Sequence, residues 1–168
     1  MKKIIVCCLS ILCAVFLVGC VSTSNSYLRV HIRANSNSEA DQNVKYLIKD
    51  VVVEYLSPLL VDCKSKVDVV DVINNNIDNT KKLINNVLKD EGFDYGCEIE
   101  INNEFFPTRT YDELTLEADY YDALIIKLGS GEGDNWWCVM YPNLCFNEID
   151  NVVYKSKIKE IIEKMRSV

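Results

Sequence analysis

The sequence predicts an α+β fold: a small antiparallel or mixed sheet covered on one face by two or three helices, in a single domain after an N-terminal signal segment. Two observations support this prediction. Apolar and polar residues alternate in several short stretches, as in half-buried strands, and between the first two of these stretches apolar residues recur at helical spacing. The resulting order, β-α-α-β-β-β-α, is typical of helices layered on a sheet.

The first strand and both helices follow from the pattern between residues 27 and 92. Residues 27–34 alternate strictly, and the polar face of this strand carries Tyr27, Arg29, His31 and Arg33. Ser38 and Asp41 predict a helix N-cap, and the helical pattern ends at Ser57-Pro58, where the proline disfavours continuation. A second helical pattern follows residues 64–66 and ends at Gly92, where we expect a left-handed C-cap.

The second half of the chain is predicted to supply the remaining strands. Residues 97–101 alternate, residues 121–128 form a more buried apolar run, and residues 136–141 form another. The glycine-rich segment 129–133 is predicted to be a turn between strands. The domain therefore spans residues 27–148, and residues 149–168 are predicted to form a C-terminal helix that packs on it.

Residues 1–20 are predicted to be an export leader. Lys2 and Lys3 precede an apolar stretch from Ile4 to Val18, which is the layout of a signal peptide. The stretch ends in Leu17-Val18-Gly19-Cys20, which resembles the bacterial lipobox, so Cys20 is a candidate lipid attachment point. An uncleaved membrane anchor and a soluble secreted protein are the alternatives. All three place the domain outside the cytoplasm, after a short tether at residues 21–26.

Charge and residue content exclude several functions. The chain carries 18 basic against 25 acidic residues, which argues against binding to nucleic acid. No helix and no Lys-Ser or Lys-Thr follows the glycine-rich segment, so it is not a nucleotide loop. The single histidine, His31, excludes zinc sites that need two. We expect no metal and no cofactor.

Two hydrolytic arrangements stay open as weaker hypotheses. A Cys–His hydrolase would pair His31 with Cys138 or Cys145. A pair of carboxylates, Glu98 and Glu100, shares one face of a predicted strand, as in glycosidases. Because acidic outward faces of strands are common and His31 lies between two arginines, we expect neither arrangement to be catalytic.

Four of the eight cysteines lie within the first 20 residues, so the body contains only Cys63, Cys97, Cys138 and Cys145. In an oxidising compartment, Cys138 and Cys145 are predicted to close a short loop as a disulfide. A pair of reduced thiols is the alternative. No spacing indicates whether Cys63 and Cys97 pair.

Tryptophans and arginines supply the candidate binding residues. Trp136 and Trp137 are neighbours on a predicted strand and point to opposite faces, so we expect one in the core and one free to contact a partner. A covering loop or helix is the alternative for the second tryptophan. Arg29 and Arg33 form a positive stripe, either for an acidic partner or for pairs within the chain.

Three stretches together resemble one family, stage II sporulation protein R. Residues 27–36 with Asp41-Gln42 resemble its opening motif, residues 106–111 its central Phe-Pro-Thr-basic-Thr-Tyr motif, and residues 131–146 its closing signature. Two positions depart from the pattern: Asp112 stands where glycine is expected, and Tyr141-Pro142-Asn143 replaces Phe-Pro-Pro. The lipobox also departs from a family that is usually described as secreted.

The resemblance implies a role in endospore formation. Members are made in the forespore and exported into the space between the two sporulation membranes. There they trigger a mother-cell membrane protease, stage II sporulation protein GA, to process the precursor of sigma factor E. The resemblance thus implies a non-catalytic ligand whose partner is this protease, while the leader predicts contact with the membrane through the N-terminus.

We expect Trp136 or Trp137, together with the Arg109 region, to supply the contact with the protease. An extracytoplasmic hydrolase of wall or membrane material and a structural lipoprotein are the alternative functions.

Overall fold

The structure is a computed structural model that describes residues 26–111, 113–142 and 145. The leader, Cys20 and the predicted C-terminal helix lie outside the described residues, as does the tether except for Ser26. Within the described part, neither helix is both long and apolar enough to span a bilayer. The elements in chain order are β1 (Leu28–Arg33), α1 (Glu39–Leu60), α2 (Lys66–Asp90), β2 (Cys97–Phe106), β3 (Arg109–Tyr111), β4 (Leu114–Leu116), β5 (Asp119–Leu128) and β6 (Asn135–Tyr141).

Four strands form one mixed sheet in the order β2-β5-β1-β6. β1 is parallel to β5 and antiparallel to β6, and β2 is antiparallel to β5. β3 and β4 form a separate two-stranded sheet in the connection between β2 and β5. The prediction of an α+β fold is confirmed. The sequence did not predict β3 and β4, because three-residue strands contain too few alternating positions to give a signal.

α1 and α2 cover one face of the sheet, called here the helix face. The apolar side of β1, with Leu28, Val30 and Ile32, is buried beneath them, as the alternation predicts. β5 adds Leu124, Ile126 and Leu128 to the same core. Full burial of such a side chain contributes about 1.5–3 kcal/mol, so this core is the main source of stability.

Both helices begin where the sequence predicts. Ser38 Oγ accepts a hydrogen bond from the Asp41 backbone N–H at 3.1 Å, and Ser65 with Asp68 forms a capping box at the start of α2. Gly92 follows α2 with a φ of +84°, the left-handed conformation predicted there.

The predicted end of α1 is wrong. The helix continues through Pro58 to Leu60. Proline within a helix removes one backbone hydrogen bond. Leu60 lies one turn after Leu56, and both are buried in the core, which offsets that loss.

The turn after β1 is locked to the glycine-rich turn after β5. Asn35 Oδ1 accepts a hydrogen bond from the Ser130 backbone N–H at 2.9 Å, and Asn37 Oδ1 accepts one from the Asp134 N–H at 2.6 Å. A Cβ at Gly133 would lie 2.2 Å from the Ser36 carbonyl oxygen. The glycine is therefore required by the close approach of two backbones, which agrees with a structural turn.

Asp41 is the centre of this lock. Its buried carboxylate accepts hydrogen bonds from Ser36 Oγ, from Tyr95 OH and, at 3.1 Å, from Asn35 Nδ2. Burial by itself raises the pKa of Asp41, but the hydrogen bonds from Ser36, Tyr95 and Asn35 outweigh it and hold the pKa below its usual value. The ionised carboxylate therefore stabilises the folded state.

We expect Asp41→Asn to destabilise the protein by about 2 kcal/mol at pH 7, because an amide replaces a charged acceptor of several hydrogen bonds. The folded-state pKa of Asp41 lies below its unfolded value, so this stabilisation is present above the unfolded pKa, about 4, and is lost as pH falls further. Urea denaturation at pH 7 and at pH 3 measures both effects. The exposed Asp78→Asn is the matched control, and equal losses in the two variants would contradict the prediction.

Candidate functional site

The face of the sheet opposite the helices, called here the second face, carries most of the residues predicted to bind a partner. β1 contributes Arg29, His31 and Arg33 to it, and β6 contributes Trp137. The end of β2 and the β3–β4 pair contact these residues through Glu104, Phe106, Arg109 and Tyr111. The β3–β4 connection therefore lies across the second face and covers part of it.

The interpretation of Arg29 as an exposed contact residue is wrong. Arg29 is 0% exposed. Its guanidinium carbon lies 4.2 Å from the ring centroid of Phe106 and 4.9 Å from that of Tyr121, and Nη2 donates a hydrogen bond to Tyr111 OH at 2.6 Å. The alternation of β1 correctly predicts a second face but does not show that distant aromatic residues cover it.

Aromatic rings take the place of a carboxylate partner for Arg29. Nε and Nη1 of Arg29 have no hydrogen-bond partner among the described residues. A buried charge is costly unless it is compensated. Each cation–π contact contributes about 0.5–2 kcal/mol, and Tyr111 adds a third ring with its centroid at 5.7 Å. Arg29 thus holds the β2–β3 region against β1.

Glu104 links two side chains of β1. Its carboxylate forms an ion pair with the Arg33 guanidinium, and its Oε2 lies 2.8 Å from His31 Nδ1. Arg33 is therefore engaged in a pair within the chain, one of the two alternatives for the positive stripe. His31 is buried as well, against the expectation of a polar outer face.

Burial lowers the pKa of His31 to about 4, and the charges of Arg33 and Arg29 act in the same direction. The imidazole is neutral near pH 7 in consequence. Because an ionised carboxylate only accepts hydrogen bonds, Nδ1 carries the proton and donates it to Glu104.

A histidine oriented by a carboxylate also occurs in catalytic triads. In this chain, however, the rings of Phe106 and Trp137 lie against the imidazole with centroids at 5.7 and 5.4 Å. No described hydroxyl or thiol is hydrogen-bonded to the imidazole. The Cys–His hypothesis is not supported, because Cys138 is paired with Cys145.

Arg109 and Trp137 form an accessible part of the second face, called here the Arg109–Trp137 surface. The Arg109 guanidinium carbon lies 4.2 Å from the Trp137 ring centroid. Arg109 is exposed and Trp137 is half-buried. The indole also contacts His31, which Glu104 holds in turn. His31, held by Glu104, therefore supports the indole of Trp137 on its inner side, while Arg109 contacts the indole on its solvent side.

Trp136 lies on the opposite side of β6 from Trp137. It is half-buried and packs against the core of the helix face. The expectation that the two tryptophans face opposite sides is confirmed, and Trp137 is the one that joins Arg109. No local pattern pointed to Phe106, Tyr111 and Tyr121, although Phe106 and Tyr111 are the first and last residues of the central stretch of the family resemblance.

Cys138 and Cys145 are placed as a disulfide pair, with their Cα atoms 6.4 Å apart. The Cys145 backbone N–H also donates a hydrogen bond to the Val139 carbonyl at 3.4 Å. Both contacts hold Cys145 against β6, the strand that carries Trp137. Cys63 and Cys97 are free thiols.

The described residues offer little that would hold a small ligand. They contain no group of three or more His, Cys, Asp or Glu side chains that could bind a metal ion. A shallow groove of 340 Å³ lies between the end of β1 and the edge strand β2, and its charged residues of both signs are Arg33, Lys81, Glu98, Glu100 and Lys127. The Arg109–Trp137 surface remains the site where several elements bring candidate contact residues together.

We expect Arg29→Lys to destabilise the protein by about 1–3 kcal/mol. The lysine ammonium is not planar, so it cannot stack on three rings and at the same time donate a hydrogen bond to Tyr111 OH as the guanidinium does. Arg109→Lys, at the exposed end of the same face, is the matched control and should change stability by less than about 0.5 kcal/mol. Urea denaturation of the oxidised proteins measures both. An unchanged midpoint for Arg29→Lys would show that the rings do not hold the guanidinium.

The comparisons with known proteins agree on one family. A family model described as stage II sporulation protein R matches residues 24–151. Stage II sporulation protein R of Bacillus subtilis (strain 168) is 32% identical over 139 residues, which cover 82% of this chain and 62% of that relative. The chain thus spans less than two thirds of the relative's length. No solved structure matches this chain. Because the family model covers most of the chain, the protein belongs to the stage II sporulation protein R family.

Proposed function

We propose that this protein is an extracytoplasmic signal in endospore formation, which triggers a mother-cell membrane protease to process the precursor of sigma factor E. Membership in the family supports a role in sporulation. The finer statement, including the protease stage II sporulation protein GA as the partner, follows from what the family resemblance implies. In this proposal the protein is a ligand and not an enzyme.

The observation that carries the proposal is the Arg109–Trp137 surface. Tryptophan and arginine are the residue types most often found at the energetic centres of protein interfaces. Here they stack on one another at 4.2 Å and are supported from below by His31 and Glu104. A contact that is already ordered loses little conformational entropy on binding.

A ligand activates a protease only by binding its active state more tightly than its inactive state. Shifting an equilibrium from 1:99 to 99:1 needs about 5.5 kcal/mol of difference in binding free energy. Truncation of an interface hot spot costs about 2–4 kcal/mol. Two such residues that contact only the active state would supply a difference of this size.

Export is part of the proposal. The apolar stretch from Ile4 to Val18 directs the chain out of the forespore into the intermembrane space, and Cys20 or an uncleaved leader anchors it at the membrane. The pairing of Cys138 with Cys145 supports this location, because disulfides persist mainly outside the cytoplasm.

The test is co-expression of the chain with the cognate protease and precursor in a host that lacks both, with the amount of the chain varied. We expect Trp137→Ala and Arg109→Ala to raise the dose for half-maximal processing roughly tenfold or more, since 1.4 kcal/mol corresponds to a factor of ten. Immunoblots of the precursor give the readout.

Tyr46→Ala removes an exposed aromatic ring from α1 and is the matched control, expected to act at the wild-type dose. Folded Trp137→Ala and Arg109→Ala variants that also act at that dose would rule out this surface as the contact. Absence of processing with the wild-type chain would contradict the signalling function itself.

A further inference from the structure

Large hydrophobic side chains that remain exposed gather at one end of the domain. α1 ends and α2 begins at this end, β2 ends there, and β5 begins there. Lys66 Nζ, at the start of α2, lies 2.7 Å from Asp122 Oδ2, near the start of β5, so these termini meet. The residues concerned are Leu59, Val61, Val67, Phe105 and Tyr120, and they are called here the apolar end.

Phe105 and Tyr120 form the centre of the apolar end. They face each other in the register of β2 and β5, their ring centroids are 5.6 Å apart, and they are 54% and 61% exposed. The pair lies two residues beyond Asn103 and Asp122, or about 7 Å along the strands. Because Lys66 reaches Asp122, the first turn of α2, which carries Val67, lies at this end of the sheet.

The same end receives the chain from the N-terminal leader. Leu28, the first residue of β1, pairs with Asp122 of β5 and Tyr141 of β6. The chain from Cys20 to Tyr27 spans at most about 25 Å in any conformation. α2 alone, with 25 residues, is about 37 Å long. If the opposite end of the domain faced the membrane, the start of β1 would lie about the length of α2 from the bilayer, which is farther than residues 20–27 can reach. A domain held at Cys20 therefore keeps the apolar end on the membrane side.

We propose that the apolar end docks on the lipid surface in which the N-terminal segment is anchored, with Phe105 and Tyr120 at the level of the headgroups. Tyr120 suits this region, because its ring enters the acyl boundary while its hydroxyl stays in contact with water, and Phe105 adds an apolar ring beside it. The proposal rests on the anchoring part of the proposed function and is independent of the protease.

Charge favours apolar insertion over electrostatic adsorption. The whole chain carries a net charge of −7, and Asp119 and Asp122 lie beside the two rings. Lys66 pairs with Asp122 at this end and the chain as a whole is acidic, so attraction to anionic lipid contributes little and binding should need neither acidic lipids nor low salt. Docking in this orientation leaves the second face accessible from the side. Arg109 follows β2 by three residues, so the Arg109–Trp137 surface lies close to the membrane, within reach of a membrane protease.

Quenching by brominated lipid tests the contact directly. The full chain is reconstituted in vesicles of phosphatidylcholine or of dibromo-phosphatidylcholine, as wild type, as Phe105→Trp and as Tyr46→Trp. Tyr46 is 49% exposed and lies on α1 outside the apolar end, so its variant is the matched control. The emission of the wild-type tryptophans is subtracted from that of each variant.

We expect brominated lipid to reduce the added emission of Phe105→Trp at least twofold and to leave that of Tyr46→Trp unchanged. High salt should not alter this result. Equal quenching of the two variants, or none, would overturn the proposal. If the added emission of Phe105→Trp is shielded from water but not quenched by brominated lipid, a second copy or residues 146–168 cover the rings, and this result would also overturn the proposal. Because no protease is present, failure here is distinct from failure of the processing assay.

Discussion

The second face of the sheet depends on the burial of one cation, the guanidinium of Arg29. A buried charge needs compensation, and in this fold the compensation comes from the rings of Phe106, Tyr111 and Tyr121 and from the Tyr111 hydroxyl. These rings belong to β2, β3 and β5. The β3–β4 connection must therefore lie across the sheet, and this position turns a polar strand face into a second, smaller core.

The Arg109–Trp137 surface is a consequence of that arrangement. Arg109 begins the strand that ends at Tyr111, so the contact between Tyr111 and Arg29 also positions Arg109. Trp137 lies on His31, and Glu104 connects His31 to Arg33. The three stretches that carry the family resemblance, which are distant in sequence, thus meet on one face. A contact surface supported by the buried imidazole of His31, the Glu104–Arg33 ion pair and packed rings keeps its geometry better than one built on a free loop.

The two ends of the domain differ in their chemistry. At one end, Asp41 joins the turn after β1 to Tyr95, and Gly133 allows the neighbouring turn to approach closely. At that end Asn35, Ser36 and Tyr95 all donate hydrogen bonds to the Asp41 carboxylate. At the other end, where β1 begins, Phe105 and Tyr120 remain exposed. This difference gives the domain a direction, with a closed end and an end suited to contact.

The sequence by itself determined the elements whose signals are local. Ser38 with Asp41 determined where the first helix begins, and the alternation of residues 27–34 determined which side of β1 enters the core. Only the tertiary structure decided that Arg29 is buried, since its ring partners lie more than 70 residues away in the chain. Alternation separates the two faces of a strand, but what covers each face depends on contacts between distant segments, which no local pattern encodes.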